Sequence, residues 1–199
     1  KKNRFKDSIK AEFATPAKLR DVLISVGKIG SPSNSRLCNA KITAATSPIM
    51  RRSPYAGMLF NGQGRPMNLD GHSATLPASM GGNRTPIIDN LALYENHKPW
   101  IEEYHAHLTD GGSPAKFGVV PPRLRRLTVD EALAIQTFPK DYNFSGGQSS
   151  VFKQIGNAVP CNLAAAVAKT LIKLIKNETP HTQHINSGET TFELELEPA

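Results

Sequence analysis

A chain of 199 residues with an apolar fraction of 39% suffices for one modest domain, or a small domain with an appendage; no run approaches 18 consecutive apolar residues, so no membrane span is expected. Two cysteines make neither a disulfide framework nor a zinc set and favour a reducing cytoplasm, and the basic start KKNRFKDSIKAEF lacks the apolar centre of a secretory signal. The net charge of +7 is uneven: residues 1–90 hold 14 Lys/Arg against 5 Asp/Glu and residues 91–199 hold 10 against 12, so the front half is either a nucleic-acid footprint or a solvated basic face.

The chain opens on Lys1 rather than Met, and we read it as the carboxyl-terminal part of something longer. Residues 1–15 are expected to form a leading segment, partly helical and mobile. Lys18–Val26 carries apolar residues at 19, 22, 23 and 26, the spacing of a short amphipathic helix after Pro16. From Thr46 to Asp89 the chain is dense in turn residues, with Asn61-Gly62, Asp70-Gly71 and Gly81-Gly82-Asn83 marking turns and only Gly57–Phe60 and Pro86–Ile88 extended. Such a segment builds no large core and is either a binding surface or poorly ordered. A helix is expected over Trp100–Leu108, and another over Val129–Gln136, opened by the capping box Thr128-Val-Asp-Glu131 and stopped by Pro139. Gly146-Gly147 makes a turn flanked by Phe144 and Phe152. Pro160 starts the longest helix, to about Lys176, with Leu163, Val167, Leu171 and Leu174 on one face and Lys169, Lys173 and Lys176 toward its end. Residues 178–199 are a loose acidic tail.

Three stretches occur in a fixed order: Thr75-Leu76 within the Gly-rich region, Arg125-Arg126-Leu127-Thr128-Val129-Asp130-Glu131 followed by Gln136, and Gln154-Ile155-Gly156-Asn157-Ala158-Val159-Pro160. This order resembles the carboxyl-terminal part of the DNA cytosine-5 methyltransferases, whose ninth motif reads Arg-x-Leu-Thr-x-x-Glu-(four)-Gln and whose tenth reads Gly-Asn-Ala/Ser-Val. The resemblance covers roughly residues 16 to 176. It implies an α+β chain: a small loop-rich target recognition domain with short strands, plus carboxyl-terminal helices that complete an S-adenosylmethionine-dependent α/β domain absent from this chain. The corresponding divisions are 16–122 for the recognition region, 123–144 for the ninth motif and 145–177 for the tenth motif and closing helix.

By the same resemblance Thr75-Leu76 lies beside the backbone of a flipped cytidine, where a hydroxyl and backbone N–H groups can hold a phosphate. Arg51, Arg52, Gln63, Arg65 and Arg84 are the candidate base readers, each with plain surface charge or a phosphate contact as the alternative. Arg125, Thr128, Glu131 and Gln136 are expected to hold the recognition domain together, with no catalytic role for Glu131. Asn157, Ala158 and Val159 would line the S-adenosylmethionine pocket, where an Asn amide can pair with a carboxylate or amine. The family's nucleophile sits in a Pro-Cys-Gln loop that this chain does not contain, so Cys161 is expected to be a helix-packing residue and no catalytic residue is assigned here. His105-x-His107 and His181-x-x-His184 have no completing ligands, and no metal site is expected. The implied partners are double-stranded DNA and the amino-terminal catalytic part, in the same chain or a separate subunit. A non-catalytic DNA-binding module and an RNA cytosine methyltransferase are the alternatives.

Overall fold

The computed structural model describes residues 5–7, 9–10, 17–116 and 119–178, so most of the leading segment and all but the first residue of the tail, with His181 and His184, lie outside the described residues. The elements run α1 (Leu19–Val26), β1 (Ala44–Ile49), β2 (Met58–Phe60), a 3-10 turn at Asn61–Gln63, β3 (Ile87–Asp89), α2 (Asn90–Tyr94), α3 (Trp100–Thr109), β4 (Leu124–Arg126), α4 (Val129–Ile135), α5 (Gln148–Asn157) and α6 (Cys161–Glu178). The architecture is α+β. β1 and β2 form one antiparallel pair with an irregular register, β3 and β4 a second, and Pro66 adds a single parallel bridge to Ile87.

The apolar spacing of the first helix has its expected result. Leu19, Leu23 and Val26 are buried one above the other, and Gly27 ends the helix at φ +104°. The unpaired N–H groups of its first turn find partners in a loop: Leu19 donates to the Gly71 carbonyl and Arg20 to Leu69, both at 2.9 Å. The Arg20 guanidinium bonds Asp70 on one side and the carbonyls of Ala92 and Leu93 on the other. This helix therefore joins the loop-rich region to α2.

Two apolar clusters share β3. Ile88 points into the larger one with Leu23, Leu127, Leu133 and Phe152, whereas Ile87 points into the smaller one with Leu59, Phe60, Tyr104 and Leu124. Alternation along a strand places neighbouring side chains on opposite faces, so one short strand serves both cores. The loop-rich region contributes more to the interior than its turn content implies. Met67, Leu69, Leu76 and Met80 are all buried in the larger cluster.

One helix departs from the expectation. Residues 148–157 form the helix α5, beyond the turn foreseen at Gly146-Gly147; burial of Val151, Phe152 and Ile155 on one face overrides a weak local helix preference. In α6 the apolar face is left largely uncovered: Leu171 is 46% exposed and Leu163 38%, Val167 and Leu174 are half-buried, and Ala166 and Thr170 are the buried residues. Among the described residues one helical stretch, Gln148–Lys176, is long and apolar enough to cross a membrane by length and composition, although it holds no unbroken apolar run of that length. Residues 158–160 interrupt it, so α5 and α6 are separate helices.

Candidate nucleic-acid interface

A cleft of about 490 Å3 opens where four segments of the loop-rich region meet. The β1–β2 connection supplies Ser53 and Tyr55, the 3-10 turn and its exit supply Gln63, Arg65 and Asn68, the following loop supplies His72, Thr75 and Ser79, and the approach to β3 supplies Arg84. Two guanidiniums line this cleft and no carboxylate does, which favours an anionic occupant. Thr75 is exposed at its edge whereas its neighbour Leu76 is buried, so the dipeptide anchors itself by the leucine and presents the hydroxyl. Arg84 donates to the Ser79 hydroxyl at 3.3 Å. Arg51 and Arg52 are exposed but do not line the cleft, so the structure brings together Gln63, Arg65, Thr75 and Arg84 and leaves these two apart. Tyr55, on the cleft wall, donates to Glu102 at 2.8 Å, and burial together with that carboxylate pushes its phenol well above the ordinary range.

A second feature is a buried polar network around Glu131. Arg125 forks onto Glu131 through Nη1 at 2.7 Å and Nη2 at 2.6 Å, and its Nε reaches Asn90 at 2.7 Å. Glu131 is fully buried and also accepts from the Thr128 backbone N–H, while the Thr128 hydroxyl accepts from the Glu131 N–H, completing the capping box. The Thr128 hydroxyl then donates to Asn34 Oδ1 at 2.6 Å, and the Asn34 amide donates to Gly27 and to Glu131. Thus α1, α4 and the start of β4's strand pair are tied through one carboxylate. Every lone pair of this carboxylate is directed at a donor.

Asn34 and Arg126 escaped sequence reasoning. Arg126 is 3% exposed and donates to the carbonyls of Thr85 at 2.7 Å, Lys41 at 2.9 Å and Ala40 at 3.4 Å, with burial lowering its pKa. Its partners are main-chain oxygens more than 40 positions away, which no local pattern encodes. The doubled Arg125-Arg126 was the only signal available.

The turn between α5 and α6 is set by Gln136. Its side-chain amide donates to the carbonyls of Ile155 at 2.9 Å and Ala158 at 3.3 Å, and its own carbonyl accepts from the Cys161 N–H at 3.1 Å. Asn157 and Val159 are exposed, and the Asn157 side chain makes no hydrogen bond among the described residues. The open amide offers both a donor and an acceptor, which a carboxylate or amine of a bound cofactor could take. Cys161 is half-buried at the first position of α6. Gly156 lies tight against the Thr75 loop: a Cβ there would stand 2.6 Å from the Pro77 carbonyl oxygen and 2.8 Å from the Ala78 Cα. No group of three or more His, Cys, Asp or Glu side chains converges among the described residues, and His105 and His107 face the backbone carbonyls of Arg51 and Ser113.

The family model for C-5 cytosine-specific DNA methylases matches residues 18–173. The chain belongs to this family. A Type II methyltransferase from Thalassovita gelatinovora, M.AgeI, is 27% identical over 161 residues, 77% of this chain and 37% of its own length. M1.HphI from Haemophilus parahaemolyticus is 46% identical over 103 residues, 49% of this chain and 27% of its own. M.PspPI from Psychrobacter sp. is 49% identical over 55 residues, 28% of this chain and 13% of its own. This member of the C-5 methylase family therefore spans well under half the length of these curated relatives. No solved structure matches it.

Proposed function

We propose that this chain is the target-recognition and closing portion of a DNA cytosine-5 methyltransferase, and that within the complete enzyme it selects the DNA sequence. The observation that carries this reading is the cleft, where Gln63, Arg65, Thr75 and Arg84 gather from three loops with no carboxylate among the lining residues. Guanidiniums and an exposed hydroxyl attract a phosphodiester backbone, and Gln and Arg carry the donor patterns that distinguish purines in a major groove. Thr75 holds a phosphate and fixes register. The Asn157–Val159 turn forms one wall of the S-adenosylmethionine site, its amide holding the amino-acid end of the cofactor while the exposed valine excludes water. S-adenosylmethionine supplies the methyl group when bound, and the thiol that attacks the flipped cytosine comes from the amino-terminal part of the enzyme. Type II relatives support a place beside a restriction system.

The test is methyl transfer by the complete protein, either the longer polypeptide or this chain with its catalytic subunit. DNA is incubated with labelled S-adenosylmethionine and the modified positions are mapped. Methylation of cytosine at a defined sequence is expected. DNA binding without methyl transfer would favour a non-catalytic module, and transfer to RNA alone would overturn the assignment of substrate.

A further inference from the structure

Gln63 is a non-glycine residue with φ +66°, held between two glycines, Gly62 at φ +80° and Gly64. A side chain in the left-handed region is sterically disfavoured, so the turn holds Gln63 there at a cost, as it does at Asn96 and Thr137 elsewhere in the chain. The turn packs closely on its neighbours at both glycines. A Cβ on Gly62 would stand 2.1 Å from the Asn83 Cβ, and one on Gly64 would stand 2.1 Å from the Arg126 Nη1 and 2.7 Å from the carbonyl oxygens of Asn83 and Thr85. Two positions on, the Arg65 carbonyl accepts from the Ile87 N–H at 2.9 Å, and Pro66 bridges to Ile87. The Arg65 backbone is thus fixed to β3, and Gly64 beside it packs against the buried Arg126. Both side chains are exposed, both line the cleft, and neither hydrogen-bonds to a described residue, in contrast to Arg84 with its bond to Ser79.

Resting on the function proposed above, we propose that Gln63 and Arg65 are the base-reading pair of this chain, Gln63 taking an adenine and Arg65 a guanine, while Arg84 serves the DNA backbone. Two residues two positions apart have Cα atoms at most about 7 Å apart. With base pairs rising about 3.4 Å, the pair addresses adjacent base pairs or the same one. A Gln amide offers one donor and one acceptor, matching adenine N7 and N6; a guanidinium offers two donors, matching guanine O6 and N7. The recognised sequence therefore contains an adenine and a guanine, on either strand, within about two base pairs of each other. A fixed turn carrying two uncommitted side chains gives the precision such bidentate contacts need.

The experiment profiles methylation by the complete protein on a randomised duplex library. Gln63→Gly is the informative variant, since glycine suits φ +66° and the protein folds at least as well. It should flatten the preference at one A·T position by about tenfold or more, and Arg65→Ala should flatten a G·C position within two base pairs of it. Arg84→Ala should lower methylation evenly across sequences. If Gln63→Gly and Arg65→Ala both lower the rate with the wild-type profile unchanged, these side chains contact phosphate and the pair assignment is overturned while the proposed function stands. A wild-type profile that specifies only guanine and cytosine likewise overturns it. A wild-type protein that methylates no DNA overturns the proposed function, and this inference with it.

Discussion

Replacing Glu131 by Ala removes the acceptor on which four donors converge: Arg125 Nη1 and Nη2 at 2.7 and 2.6 Å, the Thr128 N–H at 3.0 Å and the Asn34 amide at 3.3 Å. The carboxylate is fully buried and the Arg125 side chain only 10% exposed, so the stranded guanidinium keeps Asn90 as its partner and gains little water. Breaking a buried pair from one side costs about 3–5 kcal/mol. The orphaned Thr128 N–H adds about 1 kcal/mol, but the donors share one acceptor and the two figures overlap, which leaves about 4 kcal/mol. At about 2–4 °C per kcal/mol for a domain of this size, the midpoint of thermal unfolding falls by about 8–16 °C. Circular dichroism melting of the variant, with Glu131→Gln alongside, measures it; Gln keeps the shape and one acceptor and should lie between Ala and wild type. A midpoint within about 2 °C of wild type would refute the reasoning from buried pairing. Full stability with methylation abolished would instead assign Glu131 to the chemistry.

Gly156→Ala should drive α5 away from the Pro77–Ala78 backbone at a cost of about 1–3 kcal/mol, with the KM values for DNA and S-adenosylmethionine rising together in steady-state kinetics; a change in one alone counts against the shared contact. Thr75→Ala should weaken DNA binding by about tenfold in a competition assay, evenly across sequences, and a loss confined to one base position refutes its phosphate role. Asn157→Asp should raise the S-adenosylmethionine requirement without altering the target sequence, read as KM and methylation profile of one preparation. Tyr55→Phe should destabilise the protein at neutral pH, where the bond to Glu102 is present. Because the folded phenol titrates above its unfolded value of 10.0, wild-type stability declines as pH rises past about 10, and denaturant melts should show the gap to Tyr55→Phe narrowing there.

Local signals carried the helices well. α1 follows its apolar spacing, α4 its capping box, and α6 begins beside Pro160. β1 was illegible because AATSPI has neither strand propensity nor alternation, and its pairing with β2 comes from tertiary contact. α5 was hidden by its polar stretch and Gly156, since Phe152 becomes a helix residue only when it has a core to enter. In the cleft, the resemblance supplied Thr75 and composition supplied Gln63 and the arginines. What separated Gln63, Arg65 and Arg84 from Arg51 and Arg52 was the Pro66–Ile87 bridge, a contact between segments about twenty residues apart. Likewise Arg126 reads as one more basic residue until its three carbonyl partners are in place.

The Arg126 anchor has a consequence for how such a chain can diversify. It grips Ala40, Lys41 and Thr85 by their main-chain oxygens, which every residue type offers alike. Those contacts put no demand on the side chains of Ala40 and Lys41, whereas Thr85 is committed through its hydroxyl, which accepts from the Gly81 N–H at 2.9 Å. On the base-reading role proposed above, exchanging Gln63 or Arg65 would change the target preference while the Arg126 support stays in place.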